Sequence, residues 1–309
     1  MTTAETDQLA ADVRAATRRA LRPRAWTPTA DLLALGWDDL LAEDAALAVT
    51  VLGEESGRAL AATRLPELAL RAGLGLAADA PPETTAVLVA PGLRPFDADV
   101  AGLAWLDDPG RIRTWLVPVR RDGGVALAGI PAGAADTVRP VGGMDPDLGL
   151  YEVRPGGQPA TERPCDWPAA VSALHLHLAA ANIGLAEAMV DLAREHVATR
   201  TQFGVPIGSF QAVQHRLADA HVATEAARAV LPASGAVPCR AATSTAVLAS
   251  AWAVEAAGAA ATQVMGAIAC TWEHPLHRYV RRGLAAGLWV DRDDAARHAL
   301  TATETEEVL

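Results

Sequence analysis

The residues best suited to chemistry in this 309-residue chain lie in one unbroken string, Arg200-Thr201-Gln202-Phe203-Gly204-Val205-Pro206-Ile207-Gly208-Ser209-Phe210-Gln211, continuing through Gln214-His215-Arg216-Leu217-Ala218-Asp219. Arg200 offers a planar, permanently charged fork that matches phosphate oxygens, Gln202 and Gln211 offer neutral donors and acceptors, and Phe203 offers an aromatic face. A second string, Gln263-Val264-Met265-Gly266-Ala267-Ile268-Ala269-Cys270-Thr271-Trp272-Glu273-His274-Pro275, places a glycine where backbone N–H groups could approach a phosphate closely. Taken singly, Arg200 reads more readily as a surface arginine and Phe203 as a core aromatic.

Groups that could move protons are sparser. His175 and His177 are two apart on a helical stretch and point to different sides, so they form neither a dyad nor a metal pair. His274 and His277 share a helix face but have no carboxylate cluster beside them. Glu273 is expected to open a helix with Thr271 as its cap, and Asp291 to open the last helix as an exposed carboxylate at a favourable N-terminus. Cys165, Cys239 and Cys270 contain no C-x-x-C pair, so neither a disulfide framework nor a structural zinc site is encoded.

The elements that must position the two strings follow from periodicity. From Ala4 to Leu21 and again from Ala30 to Leu74 apolar residues recur at three and four positions, as in Leu32, Leu35 and Leu40, predicting helices. Ala34-Leu35-Gly36-Trp37 reads as a helix stop at glycine, and Leu52 to Leu60 as a helix that runs through Gly53 and Gly57. After Leu76 short strands are predicted at Ala86–Val89, Trp115–Val119 and Val125–Ala128, the last two joined by a turn at Asp122-Gly123-Gly124. From Pro168 helices return: a long one with Leu178, Leu185, Met189 and Leu192 on its apolar face, then about Ser209–Leu231, about Arg240–Ile268, and a shorter one after Pro275. The expected fold class is α+β, mostly α: an N-terminal helical lobe over 1–78, a small reduced middle β lobe over 79–160, and a C-terminal four-helix bundle over 161–309.

The first string closely resembles the acyl-CoA dehydrogenase signature: Arg, any residue, Gln or Thr, Phe, Gly, followed by Pro-Ile, Phe-Gln and Gln-His-Leu-Ala-Asp runs. The second is similar to that family's Gln-x-x-Gly-Gly-x-Gly-Phe-Thr-x-Glu-x-Pro stretch, departing from it at Ala267, Ala269 and Cys270. The resemblance implies that Arg200, Gln202, Phe203, Gln211, Gln263 and Gly266 contact FAD bound by a neighbouring subunit, holding its pyrophosphate and adenine across a dimer interface. It is close over Pro168 to about Leu284, fainter through Leu35-Gly36-Trp37 and Glu54 to Leu60, and it thins between them. No Thr-Glu-Pro followed by Gly-Ser-Asp, the family's stretch for the flavin ring and acyl thioester, occurs there.

The family's reaction needs a carboxylate base for the α-proton while the flavin accepts a hydride from the β-carbon. That base is a Glu in one of two places. Matching Gly184 to the family's glycine puts the first at Leu174, and the second, a loop commonly reading Tyr-Glu-Gly-Thr, corresponds to Gly287-Leu288-Trp289-Val290-Asp291. Asp291 is the weak catalytic candidate that remains. The implied role is therefore the smaller subunit of a heteromeric acyl-CoA dehydrogenase, acting on an acyl-CoA as an α2β2 heterotetramer with a full-length subunit. The alternative is a homomeric dimer or tetramer on the same scaffold that has lost flavin chemistry.

Composition narrows the partners. With 51% hydrophobic and 20% charged residues the chain can bury a large core, and its net charge of -11 works against a nucleic-acid partner. The stretch Ala241–Cys270 carries one charge, Glu255, but its Ala, Ser, Thr and Gly content suits close helix packing better than lipid. The acidic start, with Glu5, Asp7 and Asp12, does not resemble a signal peptide, so a cytoplasmic location is expected.

Overall fold

The computed structural model describes residues 3–21, 26–34, 36–76, 81–97, 100–231 and 239–306. Five helices come first: α1 (Thr3–Ala20), α2 (Thr29–Leu33), α3 (Trp37–Glu43), α4 (Ala45–Ala59) and α5 (Leu65–Gly73). Gly36 sits at φ 77° before α3, as a glycine stop requires, whereas Leu35 lies outside the described residues. Asp44 caps α4, its carboxylate accepting from Leu47 N at 2.8 Å. The expected lobe boundary at 78/79 also lies outside the described residues.

The strands form two sheets. In the first, β1 (Thr85–Val87) runs parallel to β3 (Thr114–Arg121), which continues antiparallel through β4 (Gly124–Pro131) to β7 (Thr161–Pro164). The second is antiparallel in the order β2 (Gly102–Trp105), β6 (Leu150–Arg154), β5 (Thr137–Pro140). Ala86, Trp115, Val117 and Ile130 of the first sheet, with Leu88 just after β1, share a core with Ala104 and Val153 of the second. A buried lock fixes the helical lobe to this sandwich. Glu67 of α5, fully buried, accepts from Val87 N at 3.0 Å and from Arg64 and Arg71, while Arg71 donates to Thr85 Oγ1 at 2.8 Å. Such a group is strongly held only because every charge in it is paired.

The bundle consists of α6 (Trp167–Thr199), the two-stranded hairpin β8 (Thr201–Gln202) and β9 (Val205–Pro206), then α7 (Gln211–Ala229), α8 (Arg240–Met265), α9 (Leu276–Ala286) and a further helix α10 (Arg292–Glu306) packed on α8. Asp166 caps α6 through Ala169 N at 2.9 Å, with Pro168 in its first turn. The glycines inside α4 have a packing cause. A β-carbon on Gly57 would lie 2.0 Å from Ala181 O, and one on Gly184 would lie 2.0 Å from Glu54 O, so α4 and α6 touch backbone to backbone. Glu54 and Glu55 of α4 sit beside this crossing in an ion-pair network with Arg14, Arg18 and Arg58, and Glu54 also meets Arg228 at 3.0 Å. Burial alone would raise the Glu54 carboxyl, but Arg228 and Arg14 outweigh it and hold the group below its ordinary value.

Both α6 and α8 are long and apolar enough to cross a membrane, and the most apolar stretch of α6 is 89% buried inside the protein. In α8 44% of the corresponding stretch is buried, and Thr243, Ser244 and Ser250 lie fully buried among its neighbours.

Candidate functional site

The α6–α7 connection turns the first string into a rigid, outward-facing hairpin. Gln202 pairs with Val205, and the two residues between them both adopt left-handed backbone, Phe203 at φ 52° and Gly204 at φ 80°, the pattern of a two-residue hairpin turn. Left-handed backbone costs a phenylalanine roughly 1 kcal/mol or more, and here it leaves the ring 92% exposed. Phe210 meets that ring edge-on at 6.2 Å, Ile207 N donates to Arg200 O at 2.8 Å, and Ser209 Oγ donates to Pro206 O at 2.7 Å. Arg200, Gln202 and Gln211 are all exposed, and among the described residues their side chains have no partner within the chain.

The second string arrives at the same end of the bundle. α6 and α8 run in the same direction, so Ala193 near the end of α6 and Met265 at the end of α8 share one core cluster with Leu217 of α7. Gln263 is exposed beside this end. Gly266 follows at φ 66° and ψ −143°, a region confined to glycine, with nothing within 4 Å of the place a β-carbon would take. Of the two departures from the glycine pattern, Ala269 turns its methyl into the bundle core at 2% exposure, and Ala267 is exposed. The donors, the open cradle at Gly266 and the exposed ring of Phe203 fit the pyrophosphate and planar groups of a flavin dinucleotide held from outside the chain. All six residues singled out from the sequence lie at this end.

The two positions for a base converge elsewhere. Leu174 of α6 and Trp289, from the turn Gly287–Trp289 that follows α9, lie in one core cluster with Trp105, Trp167 and Leu178. Trp105 and Trp289 are tilted against each other with centroids 4.6 Å apart. Leu174 is fully buried and Trp289 is 2% exposed, so apolar side chains occupy the space where the two positions meet. Asp291, the weak catalytic candidate, is not in this cluster. It caps α10, accepting from Asp294 N at 3.0 Å, and pairs with Arg94 at 2.6 Å. The hydrogen bond from Arg94, aided by Asp294 N, holds its carboxyl below the ordinary range, the reverse of what a proton-abstracting carboxylate requires.

His175 and His177 do point apart. The His177 ring hydrogen-bonds the backbone of Val49 on α4 and His175 that of Trp289. Burial pushes each imidazole down to about 4, with nearby Arg240 adding to the effect at His175, so both are neutral at pH 7. One expectation needs correction. The N-cap position of α9 is Pro275, which has no side-chain cap to give; one residue earlier His274 Nδ1 accepts from Leu276 N at 3.2 Å, while Glu273 is held by its own backbone N–H and by Thr271 ahead of the helix. Pro275 delays the helix start by blocking an earlier first turn.

Comparison with known proteins identifies the C-terminal domain and the fold. Residues 169–289 match the family described as acyl-CoA dehydrogenase, C-terminal domain, and the chain carries that domain within an acyl-CoA dehydrogenase-like fold. Among curated proteins it is similar to acyl-CoA dehydrogenase IpdE2 of Mycobacterium tuberculosis, 40% identical over 146 residues that cover 47% of this chain and 45% of IpdE2. IpdE2 of Mycolicibacterium smegmatis is 40% identical over 47% of this chain and 46% of its own length, so the chain matches somewhat less than half of each relative. Among solved structures, the ChsE4-ChsE5 complex of Mycobacterium tuberculosis superposes with a TM-score of 0.71 at 19% identity, covering 97% of this chain and 98% of the matched one.

Proposed function

We propose that this chain is a subunit of an FAD-dependent acyl-CoA dehydrogenase, contributing cofactor contacts across an interface while a partner subunit supplies the catalytic base. The observation that carries this is a division of labour. Arg200, Gln202 and Gln211 stand exposed, their side chains without a partner among the described residues, and Phe203 is exposed beside Phe210, whereas Leu174 and Trp289, where a base would act, are closed inside an apolar core. The bound flavin would supply the hydride acceptor for α,β-desaturation of an acyl-CoA. Arg200 would neutralise phosphate charge, Gln202, Gln211 and Gln263 would orient the dinucleotide by hydrogen bonds, and Phe203 would cover a planar group and keep water from it. The neighbouring ChsE4-ChsE5 complex, a two-component assembly by its title, favours a heteromeric partner over a second copy of this chain.

The alternative, a homomeric scaffold without flavin chemistry, draws on the replacement of family glycines by Ala267 and Ala269. Ala269 weighs little in its favour because its methyl is buried in the bundle and away from any outside ligand. A paired substitution tests where the base of the proposed complex lies. In the complex with a full-length acyl-CoA dehydrogenase subunit, Asp291→Asn in this chain leaves acyl-CoA-dependent flavin reduction within about twofold, and replacing the partner's glutamate base by glutamine abolishes it. Loss of reduction on Asp291→Asn would place the base here.

A further inference from the structure

A groove of about 200 Å³ runs between α8 and α9, walled by Val254, Gly258, Val280, Gly283 and Leu284, with the Glu255–Arg292 ion pair at its mouth. Asn182 of α6 lies at its floor and is 3% exposed. The amide is oriented by its neighbour. Ser250 Oγ donates its one proton to Val247 O at 2.9 Å, so it must accept from Asn182 Nδ2 at 3.3 Å, and Asn182 Oδ1 is left buried with no partner. Asn182 also lines a second, smaller cavity of about 60 Å³ behind the groove, where two more buried polar atoms lack partners, Trp105 Nε1 and His177 Nδ1. Because the other His177 nitrogen serves Val49 and the ring is neutral at pH 7, Nδ1 is a lone-pair acceptor. Asn182 and Ala286 are common to both spaces. The apolar groove thus ends on one unsatisfied acceptor, Asn182 Oδ1, while Trp105 Nε1 and His177 Nδ1 belong to the lining of the smaller cavity alone. A buried polar atom left in that state costs more than it would gain from a simple contact, so Asn182 Oδ1 is complementary to a group that donates a hydrogen bond.

We propose that the α8–α9 groove is a binding site for a compact hydrophobic molecule bearing one hydroxyl group, its apolar ring between Val254, Gly258 and Val280 and its hydroxyl donated to Asn182 Oδ1. The size is adequate, since an apolar cavity of about 150 Å³ already holds a single six-membered ring. The inference makes no use of the hairpin end of the bundle, although the small cavity is lined by Trp105 and Trp289, the pair that also occupies the position of the missing base. The alternative occupants are ordered water in the small cavity and a side chain of a partner protein in the groove.

The test is isothermal titration calorimetry of the full chain with phenol and with toluene, which has nearly the same shape but no donor. Phenol should bind saturably and about tenfold more tightly than toluene, the worth of one buried hydrogen bond. Asn182→Ala should erase that preference. Because that buried substitution could prevent folding, Ala259→Phe serves as a second variant: Ala259 is exposed on the groove wall, and a phenyl ring there should abolish binding of both probes while leaving the melting temperature unchanged. Equal affinity for phenol and toluene, or no saturable binding of either, would mean that water completes the polar atoms and would overturn the proposal. Binding to the isolated chain that vanishes in the complex with a full-length subunit would equally overturn it, because the groove would then be a protein contact.

Discussion

Arg200→Ala separates the two roles an exposed arginine can have. The side chain is solvent-exposed and has no partner among the described residues, so its loss should change the stability of the isolated chain by no more than about 0.5 kcal/mol, or roughly 1–2 °C in melting temperature. If it forms a charge-assisted pair with a phosphate of a partner-held flavin, the same substitution removes about 1.5–3 kcal/mol of binding. That corresponds to a roughly 10- to 150-fold weaker complex with FAD. Arg200→Lys should fall between the two, because an ammonium keeps the charge and loses the fork. Both quantities are accessible on one preparation: flavin fluorescence on dilution of the complex gives the dissociation constant, and circular dichroism of the chain alone gives the melting temperature. Unchanged FAD affinity, or a fall of many degrees in the isolated chain, would refute the assignment by making Arg200 either a bystander or a structural residue.

Three further outcomes are expected. Phe203→Gly should stabilise the isolated chain by about 1 kcal/mol, relieving the left-handed backbone at φ 52°, yet weaken flavin retention in the complex; a less stable variant would mean that the ring is needed by the fold. Gly184→Ala should lower the melting temperature by roughly 5–10 °C, because its β-carbon would meet the Glu54 carbonyl at 2.0 Å and overpacking of two backbones outweighs the helix-propensity gain; Gly258→Ala, whose β-carbon has no neighbour closer than 3.5 Å, should be neutral or stabilising. His175 and His177 titrate near 4 in the folded chain and near 6.5 when unfolded, so below pH 6.5 the unfolded state binds more protons and stability falls, by about 4 kcal/mol in total by pH 5; urea midpoints measured from pH 7.5 to 5 should decline, and a flat profile would contradict the burial of these rings.

The hairpin was legible because its residues are contiguous: Arg200 to Gln211 carry the turn, the aromatic and the donors within one string, and the glycine after Phe203 signals the turn chemistry. The long bundle helices and the β3–β4 hairpin were legible from period and turn residues for the same local reason. Strands β2 and β7 do not stand out in the sequence because each is four residues long and owes its place to a non-local partner, β6 and β4 respectively. The Arg64–Glu67–Arg71 lock looks in sequence like an ordinary charged helix face, and only the approach of β1 turns it inward. Trp105 and Trp289 are far apart in the chain, so no spacing rule could show that they fill the place where Leu174 and the loop after α9 meet. The missing base was readable from the residue types, but the closing of that space was not.

The most direct test of the central claim is the visible spectrum of this chain purified alone and again after co-expression with a full-length acyl-CoA dehydrogenase subunit. Oxidised-flavin bands should appear only in the co-purified complex, and they should fade when Arg200 and Gln211 are both replaced by alanine. A yellow protein from the chain alone that is bleached by acyl-CoA would contradict the account, because the chain would then hold both its own flavin and its own base.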